Sequence, residues 1–265
     1  MTSSENWLKP ALASGKCVSG LMVSELKTPM LGAILDAVGA DFAILDQEHG
    51  AYGADCLAAL VAGFRGGRCV PLVRVSEIRR EYFLTPLELG VGGILVPRVE
   101  TRAQAEEAVR YALYPPQGER GVSLCRAHTG FKRVSARDYL PKANANVLLM
   151  VQIETRAALD SMDEILSVPG IDMAFFGPSD LSVSCGIDSS LRAPEMRAVI
   201  DRIIAAGRRH GVSVGIQASD IEVAADLVRN GVGLVSCTSD LNALLAGLTA
   251  SLNPLRKAIA DQAKA

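Results

Sequence analysis

Aromatic residues make up only 5% of this 265-residue chain, and histidine occurs three times, at His49, His128 and His210. A core so poor in rings has to be built from Ala, Val, Leu and Ile, which dominate the 49% hydrophobic content. The six cysteines (Cys17, Cys56, Cys69, Cys125, Cys185, Cys237) show no C-x-x-C spacing. They read as small buried hydrophobes in a reducing compartment, which leaves out a disulfide scaffold or a zinc site. No apolar run approaches the roughly 18 residues needed to span a membrane. The start of the chain, 2–6, is polar, with no basic segment leading into an apolar one. A formal net charge of −2, without a long basic tract, gives no footing for nucleic acid. The expectation is a soluble cytoplasmic protein with neither a membrane nor a nucleic-acid partner.

What is present is alternation. Apolar runs at 17–23, 41–46, 69–75 and 92–97 predict four strands, and runs at 147–153, 171–176, 212–217 and 233–237 predict four more. Helical patterns lie between them at 29–38, 54–64, 102–113, 156–166, 194–209 and 221–229, with a last one from 241 towards 260. Thr101 before one helix and Asn230-Gly231 after another are the expected punctuation. Eight strands alternating with helices imply parallel pairing and a single (β/α)8 barrel over 1–265. The runner-up is a doubly wound sheet, but no G-x-G-x-x-G follows the first strand. Thr85-Pro86 predicts that 79–89 splits into two short helices, with Thr85 capping the second. The proline- and glycine-bearing stretch 114–146 reads as one long functional loop.

Side chains alternate across a strand, and barrel chemistry sits at the carboxyl ends. On the fifth strand Leu148, Met150, Gln152 and Glu154 share one parity, turning polar towards that end. Arg74 follows Val70 and Leu72 in the same way on the third strand, and the second empties into Asp46, Glu48 and His49. The sixth runs into Gly177-Pro178-Ser179-Asp180. Two carboxylates from separate strands, without Cys or clustered His, suit a hard cation such as Mg2+ or Mn2+. Arg74 is placed to hold a carboxylate or an enolate oxygen. His49 is the natural proton shuttle, its ring oriented by Asp46 or Glu48. The bland alternatives are solvated strand ends, a structural His49, and Glu154 and Asp180 paired with Arg74. None of the seven lysines falls at an inward strand position, which disfavours a Schiff base.

Several segments together resemble one family. They are 41–50 (DFAILDQEHG), 73–75, 93–97 (GILVP), 114–121 (YPPQGERG), 152–155 (QIET), 177–182 (GPSDLS) and 238–241. In this order they are similar to the HpcH/HpaI-type class II aldolases of the phosphoenolpyruvate/pyruvate barrel superfamily. The resemblance implies reversible cleavage of a 4-hydroxy-2-keto acid to pyruvate, or a related keto acid, and an aldehyde through a metal-bound enolate. It assigns Glu154 and Asp180 to a divalent ion (Mg2+, Mn2+ or Co2+), Arg74 to the keto or enolate oxygen, and His49, oriented by Asp46, to proton transfer. Gln152, Ser179, Asp180, Gln217 and Arg126 join Arg74 as expected substrate contacts, with the loop near Arg126 covering the site. A homo-hexamer, a trimer of dimers with the last helix swapped between subunits, is also implied. Two departures stand out: His128-Thr129-Gly130 where an aromatic-Gly pair is common, and Gln217 where an apolar residue is usual. The competing readings are a citrate-lyase-like acyl-CoA lyase, with Arg120, Arg126, Lys132 and Arg133 near the mouth for the CoA phosphates, and a non-catalytic keto-acid sensor. A phosphate-handling barrel is disfavoured, because its last two loops would be Gly-rich.

Overall fold

The computed structural model describes residues 6–263; the polar stretch up to Glu5 and Lys264 lie outside them. Its first elements are α1 (Leu8–Ala13), β1 (Val18–Val23), α2 (Leu31–Ala37), β2 (Phe42–Asp46) and α3 (Ala54–Gly63). Next come β3 (Val70–Arg74), α4 (Arg80–Leu89), β4 (Gly93–Val96), α5 (Arg102–Ala112) and α6 (Ala136–Asn146). β5 (Leu148–Ile153) leads into α7 (Arg156–Asp160), α8 (Met162–Leu166), β6 (Met173–Phe176), α9 (Pro178–Cys185) and α10 (Pro194–His210). The last elements are β7 (Ser213–Gln217), α11 (Ile221–Arg229), β8 (Leu234–Ser239) and α12 (Asp240–Gln262). The eight strands pair in parallel in chain order and close on themselves, so the expected (β/α)8 barrel is the fold.

Two apolar layers follow from strand alternation. Phe42, Ile44, Leu72, Leu95, Leu148, Met150, Met173 and Phe175 fill the barrel interior. The opposite parity, including Ala43, Leu45, Val73, Leu149 and Val151, packs under the surrounding helices. Each fully buried aliphatic or aromatic side chain contributes about 1.5–3 kcal/mol of transfer free energy. The interior layers stop being apolar at Asp46, Arg74 and Gln152, one step further along their strands. That step is the floor of the site.

The amino end of the barrel is stoppered by α1, an element the strand pattern did not announce. Leu8 and Leu12, one helical turn apart, join the interior cluster. Ahead of them the Asn6 side chain donates to the carbonyls of Gly92 (2.6 Å) and Asn146 (3.0 Å).

Three expectations need correction. Pro86 does not split 79–89: α4 is continuous, with Phe83, Pro86 and Leu87 buried on one face, and ends at Gly90 with φ 93°. Packing of that face offsets the donor that proline lacks. The helix foreseen at 156–166 breaks at Ser161 into α7 and α8. The stretch 114–146 is not one loop, since its last eleven residues form α6 and Ala127–Thr129 form a 3-10 turn. Thr101 does cap α5, accepting from the Gln104 N–H at 3.2 Å in a reciprocal capping box.

Candidate active site

The carboxyl ends of the strands enclose a cavity of about 550 Å³. Asp46 and His49 reach it from β2, Arg74 from β3, Gln152 from β5, and Gly177, Ser179 and Asp180 from the start of α9. Gln217 joins them from β7. Of the expected site residues, all of these converge on one mouth.

Parallel pairing sets Asp46 beside Arg74. The guanidinium forks onto the carboxylate, with Nε 2.8 Å from Oδ1 and Nη2 2.7 Å from Oδ2. Its Nη1 lies 3.0 Å from Glu48 Oε2. A bidentate pair of this kind fixes the plane of the arginine as well as its position. Asp46 Oδ1 also accepts the backbone N–H groups of Glu48 (3.0 Å) and His49 (3.4 Å). Asp46 is therefore committed to Arg74 and to the turn, and it does not orient the His49 ring as expected. That ring is 66% exposed, and Glu48 Oε2, at 4.0 Å, is its nearest carboxylate.

Glu154 sits differently. Only 2% exposed, it accepts the Arg98 backbone N–H at 2.7 Å and the Gln152 side-chain amide, and among the described residues no cation pairs with it. Burial pushes its carboxyl up to about 7, and the nearby carboxylates of Glu48 and Asp180 add to the rise. Glu48 is raised too, first by burial, with Asp46 and Asp180 adding and Arg74 opposing. Arg98 delivers its amide from a left-handed backbone, φ 52°, a strained conformation for a residue with a Cβ. A Cβ on Gly177 would stand 2.8 Å from both Gln152 Nε2 and Glu154 Oε2, so only glycine lets the β6–α9 turn approach them.

The alternative in which Arg74 neutralises Glu154 and Asp180 is not what forms: Arg74 takes Asp46 and Glu48. Crowded carboxylates without a cation, and a buried Gln152 Oε1 without a partner, fit a positively charged guest. Among the described residues no three His, Cys, Asp or Glu side chains form a metal cluster by themselves. Glu154 and Asp180 would thus hold a hard divalent ion while leaving positions for water and a chelating substrate.

Not every expected residue arrives. Arg126 is exposed, does not line the cavity, and donates through Nε to Ser123 Oγ at 3.2 Å. Its segment packs on the carboxyl end of α4, where the His128 Cα lies 3.3 Å from a Cβ placed on Gly90. That is the amino end of the barrel. Arg120 is buried there against Glu88 (3.4 Å) and over the Tyr114 ring, so this basic group is not at the mouth to receive CoA phosphates. His128 is buried in the same place, its Nδ1 3.2 Å from the Glu88 carbonyl. Among the described residues no lysine lines the cavity.

The sequence reading missed Ser24, Glu25, Ser219 and Ser239, which line the remaining arc of the mouth. It also missed Asp240, a buried carboxylate that accepts the N–H groups of Ser24 (3.2 Å), Glu25 (2.9 Å) and Leu26 (2.7 Å). A signal existed: these residues end strand β8 or lie just past β1, β7 and β8, and such positions are the ones that build a barrel's active face.

Residues 20–246 match the model of the HpcH/HpaI aldolase/citrate lyase family. A 5-keto-4-deoxy-D-glucarate aldolase from Salmonella paratyphi C (strain RKS4594) is 33% identical over 241 residues, which is 91% of this chain and 93% of that protein. Among solved structures, an HpcH/HpaI aldolase from Desulfitobacterium hafniense DCB-2 superposes with a TM-score of 0.90 at 31% identity, covering 94% of this chain and 96% of that one. The citrate synthase SbnG superposes with a TM-score of 0.85 at 28% identity, covering 94% and 97%.

Proposed function

The chain belongs to the HpcH/HpaI aldolase/citrate lyase family, and from that premise we propose that it is a divalent-metal-dependent aldolase. It reversibly cleaves a 4-hydroxy-2-keto acid into pyruvate, or a related 2-keto acid, and an aldehyde. The observation that carries this reading is the buried Glu154, without a paired cation among the described residues, set behind Gln152 and Gly177 at the cavity that Asp180, Arg74 and His49 line. Counted from its keto end, the 5-keto-4-deoxy-D-glucarate named for the curated relatives is itself a 4-hydroxy-2-keto acid.

Mg2+, Mn2+ or Co2+ held by Glu154 and Asp180 would supply Lewis acidity towards the keto oxygen. The N–H groups of Ser179 and Asp180 precede the first bond of α9, Leu181 N to Gly177 O at 3.2 Å, and are free to hold the substrate carboxylate. Arg74, its plane fixed by Asp46, presents its remaining N–H groups to the oxygen on which negative charge grows. His49 removes the proton of the 4-hydroxyl. The O–H electrons become the new aldehyde carbonyl, the C3–C4 bond breaks, and its electron pair passes into the enolate of the keto acid. The imidazolium then returns the proton to C3, which becomes the methyl carbon of pyruvate. Asp46 is a positioning residue in this scheme.

The test is a panel of 4-hydroxy-2-keto acids with coupled pyruvate detection, before and after chelation. Cleavage that is lost with chelator and restored by Mg2+ or Mn2+ is the expected result. Full activity after exhaustive chelation would overturn the metal requirement. The likeness to a citrate synthase supports a second reading, acyl-CoA cleavage or condensation, and an acyl-CoA arm in the same panel separates the two.

We also propose that the enzyme works as a homo-hexamer with α12 packed on a neighbouring copy. Leu241, Leu244, Leu245, Leu248, Leu252, Leu255 and Ile259 are all exposed at helical spacing. A stripe of that length left in water supports association.

A further inference from the structure

We propose that Tyr52 is a positioning residue for His49: it ties the turn that carries the imidazole to the residues just past β1, and through them to the start of α12. This rests on the aldolase reading above, in which His49 moves the proton. Asp46 commits both carboxylate oxygens to Arg74, and the nearest carboxylate to the imidazole is Glu48 at 4.0 Å. What places His49 is therefore the turn itself, which leaves β2 at Asp46 and enters α3 at Ala54.

The near end of this turn is fixed by β3 and the residues past it. The Gln47 N–H donates to the Arg74 carbonyl at 2.9 Å, and Ser76 Oγ donates to the Gln47 carbonyl at 2.7 Å. The far end depends on Tyr52. Gln47 Nε2 donates to the Tyr52 carbonyl at 3.1 Å, closing the turn across its base, and the Tyr52 hydroxyl donates to the Leu26 carbonyl at 3.2 Å. The Tyr52 ring is buried in the apolar layer under the helices, so the hydroxyl reaches Leu26 from a fixed ring. Gly50 shows how closely the two connections meet: a Cβ there would stand 3.0 Å from the Ser24 carbonyl oxygen. Residues 24–26 are held in their turn, because Asp240 accepts all three of their N–H groups. The brace thus runs from the first residue of α12 through 24–26 to Tyr52 and the turn of His49, across the neighbouring strands β8, β1 and β2. Burial, and next the Asp240 carboxylate, push the Tyr52 hydroxyl above the usual tyrosine range, so it stays a proton donor in the neutral range. The brace sets where the imidazole is carried and leaves the exposed ring its own rotation.

The experiment is Tyr52→Phe, which removes one oxygen and leaves the buried ring in place. Two reactions are compared in one preparation with Mg2+ or Mn2+ present. One is cleavage, with 4-hydroxy-2-oxopentanoate as the first probe and then the other acids of the panel above. The other is deuteration of the pyruvate methyl group, followed by NMR. Cleavage needs His49 at the 4-hydroxyl, and exchange depends on it less. The kcat for cleavage should fall about fivefold, the order expected for one lost hydrogen bond, with KM unchanged and a smaller fall in exchange. A merely structural loss lowers both reactions in proportion, and their ratio cancels any loss of folded protein. In a His49→Ala background, followed at high enzyme concentration, the same change should cost less than about twofold in cleavage, because no imidazole is left to place. An unchanged cleavage-to-exchange ratio, or losses that multiply in the two backgrounds, would overturn the proposal while leaving the aldolase reading intact. Neither cleavage of any acid nor deuteration of pyruvate by the wild type would overturn the aldolase reading and this inference with it.

Discussion

Replacing Glu154 by glutamine should make the metal-free protein more stable above neutral pH, which is unusual for a change at a buried site. Its carboxyl is raised from an ordinary 4.5 to about 7, burial being the largest cause. Between those values the folded chain holds a proton that the unfolded chain releases, so stability falls as pH rises through that window. At about 1.4 kcal/mol per pH unit, the penalty at pH 8 reaches roughly 3 kcal/mol. Glutamine keeps an oxygen for the Arg98 N–H, which the carboxylate accepts at 2.7 Å. Its new NH2 would meet the Gln152 amide head-on, but Gln152 can turn over and offer the oxygen that now lacks a partner. For a chain of this size the gain corresponds to roughly 5 °C in Tm. The assay is thermal unfolding with chelator from pH 5.5 to 8.5. Glu154→Gln should melt above the wild type at pH 8, and the gap should shrink towards pH 5.5. Added Mn2+ at about a hundred times its Kd should raise the wild type by about 2.7 kcal/mol and leave the variant unmoved. A variant that melts below the wild type at pH 8, or a gap independent of pH, would refute the reasoning.

Two further outcomes follow from the same geometry. His49→Ala should lose about 10²–10⁴-fold in cleavage rate yet still exchange pyruvate methyl protons to some degree, while Arg74→Ala should lose both reactions; pyruvate deuteration by NMR beside a cleavage assay checks this, and intact exchange in Arg74→Ala would contradict the assignment. Asp240→Ala strips the acceptor from three backbone N–H groups at 24–26 and should cost about 3 kcal/mol, read as a lowered Tm, with a raised KM for the substrate because Ser24 and Glu25 line the cavity. Asp240→Asn, which keeps an acceptor oxygen, should recover part of both.

The parts of the site that were legible in the sequence are those governed by strand alternation. Gln152 lies two residues beyond Met150 and four beyond Leu148, and a period of two leaves no freedom once that parity faces inward. Arg74 follows Leu72 by the same rule. Arg126 obeys a different rule. In a barrel of this topology, segments after a strand lie at the carboxyl end and segments after a helix lie at the amino end. The helix pattern at 102–113 was visible, so the stretch that follows it had to return to the amino end, where Asn144 and Asn146 tie it to Tyr114 and Asn6. Proline and glycine content marked that segment as irregular but carried no information about which end it occupies.

Asp46 marks a harder limit. Its nearness to His49 in sequence suggested a carboxylate–imidazole pair, yet three residues of separation across a turn do not fix a side-chain direction. Its partner 28 residues away is set by the pairing of β2 with β3, which places Asp46 directly opposite Arg74. Register depends on how every strand of the closed sheet settles against its neighbours, and no local stretch encodes it. The consequence is chemical. An arginine held at two nitrogens by one carboxylate keeps its plane, which in the proposed reaction would let it meet the developing charge without reorganising. The His49 imidazole, two-thirds exposed and 4.0 Å from Glu48, is not held in this way, which suits the proposed role of taking a proton from one atom and returning it to another.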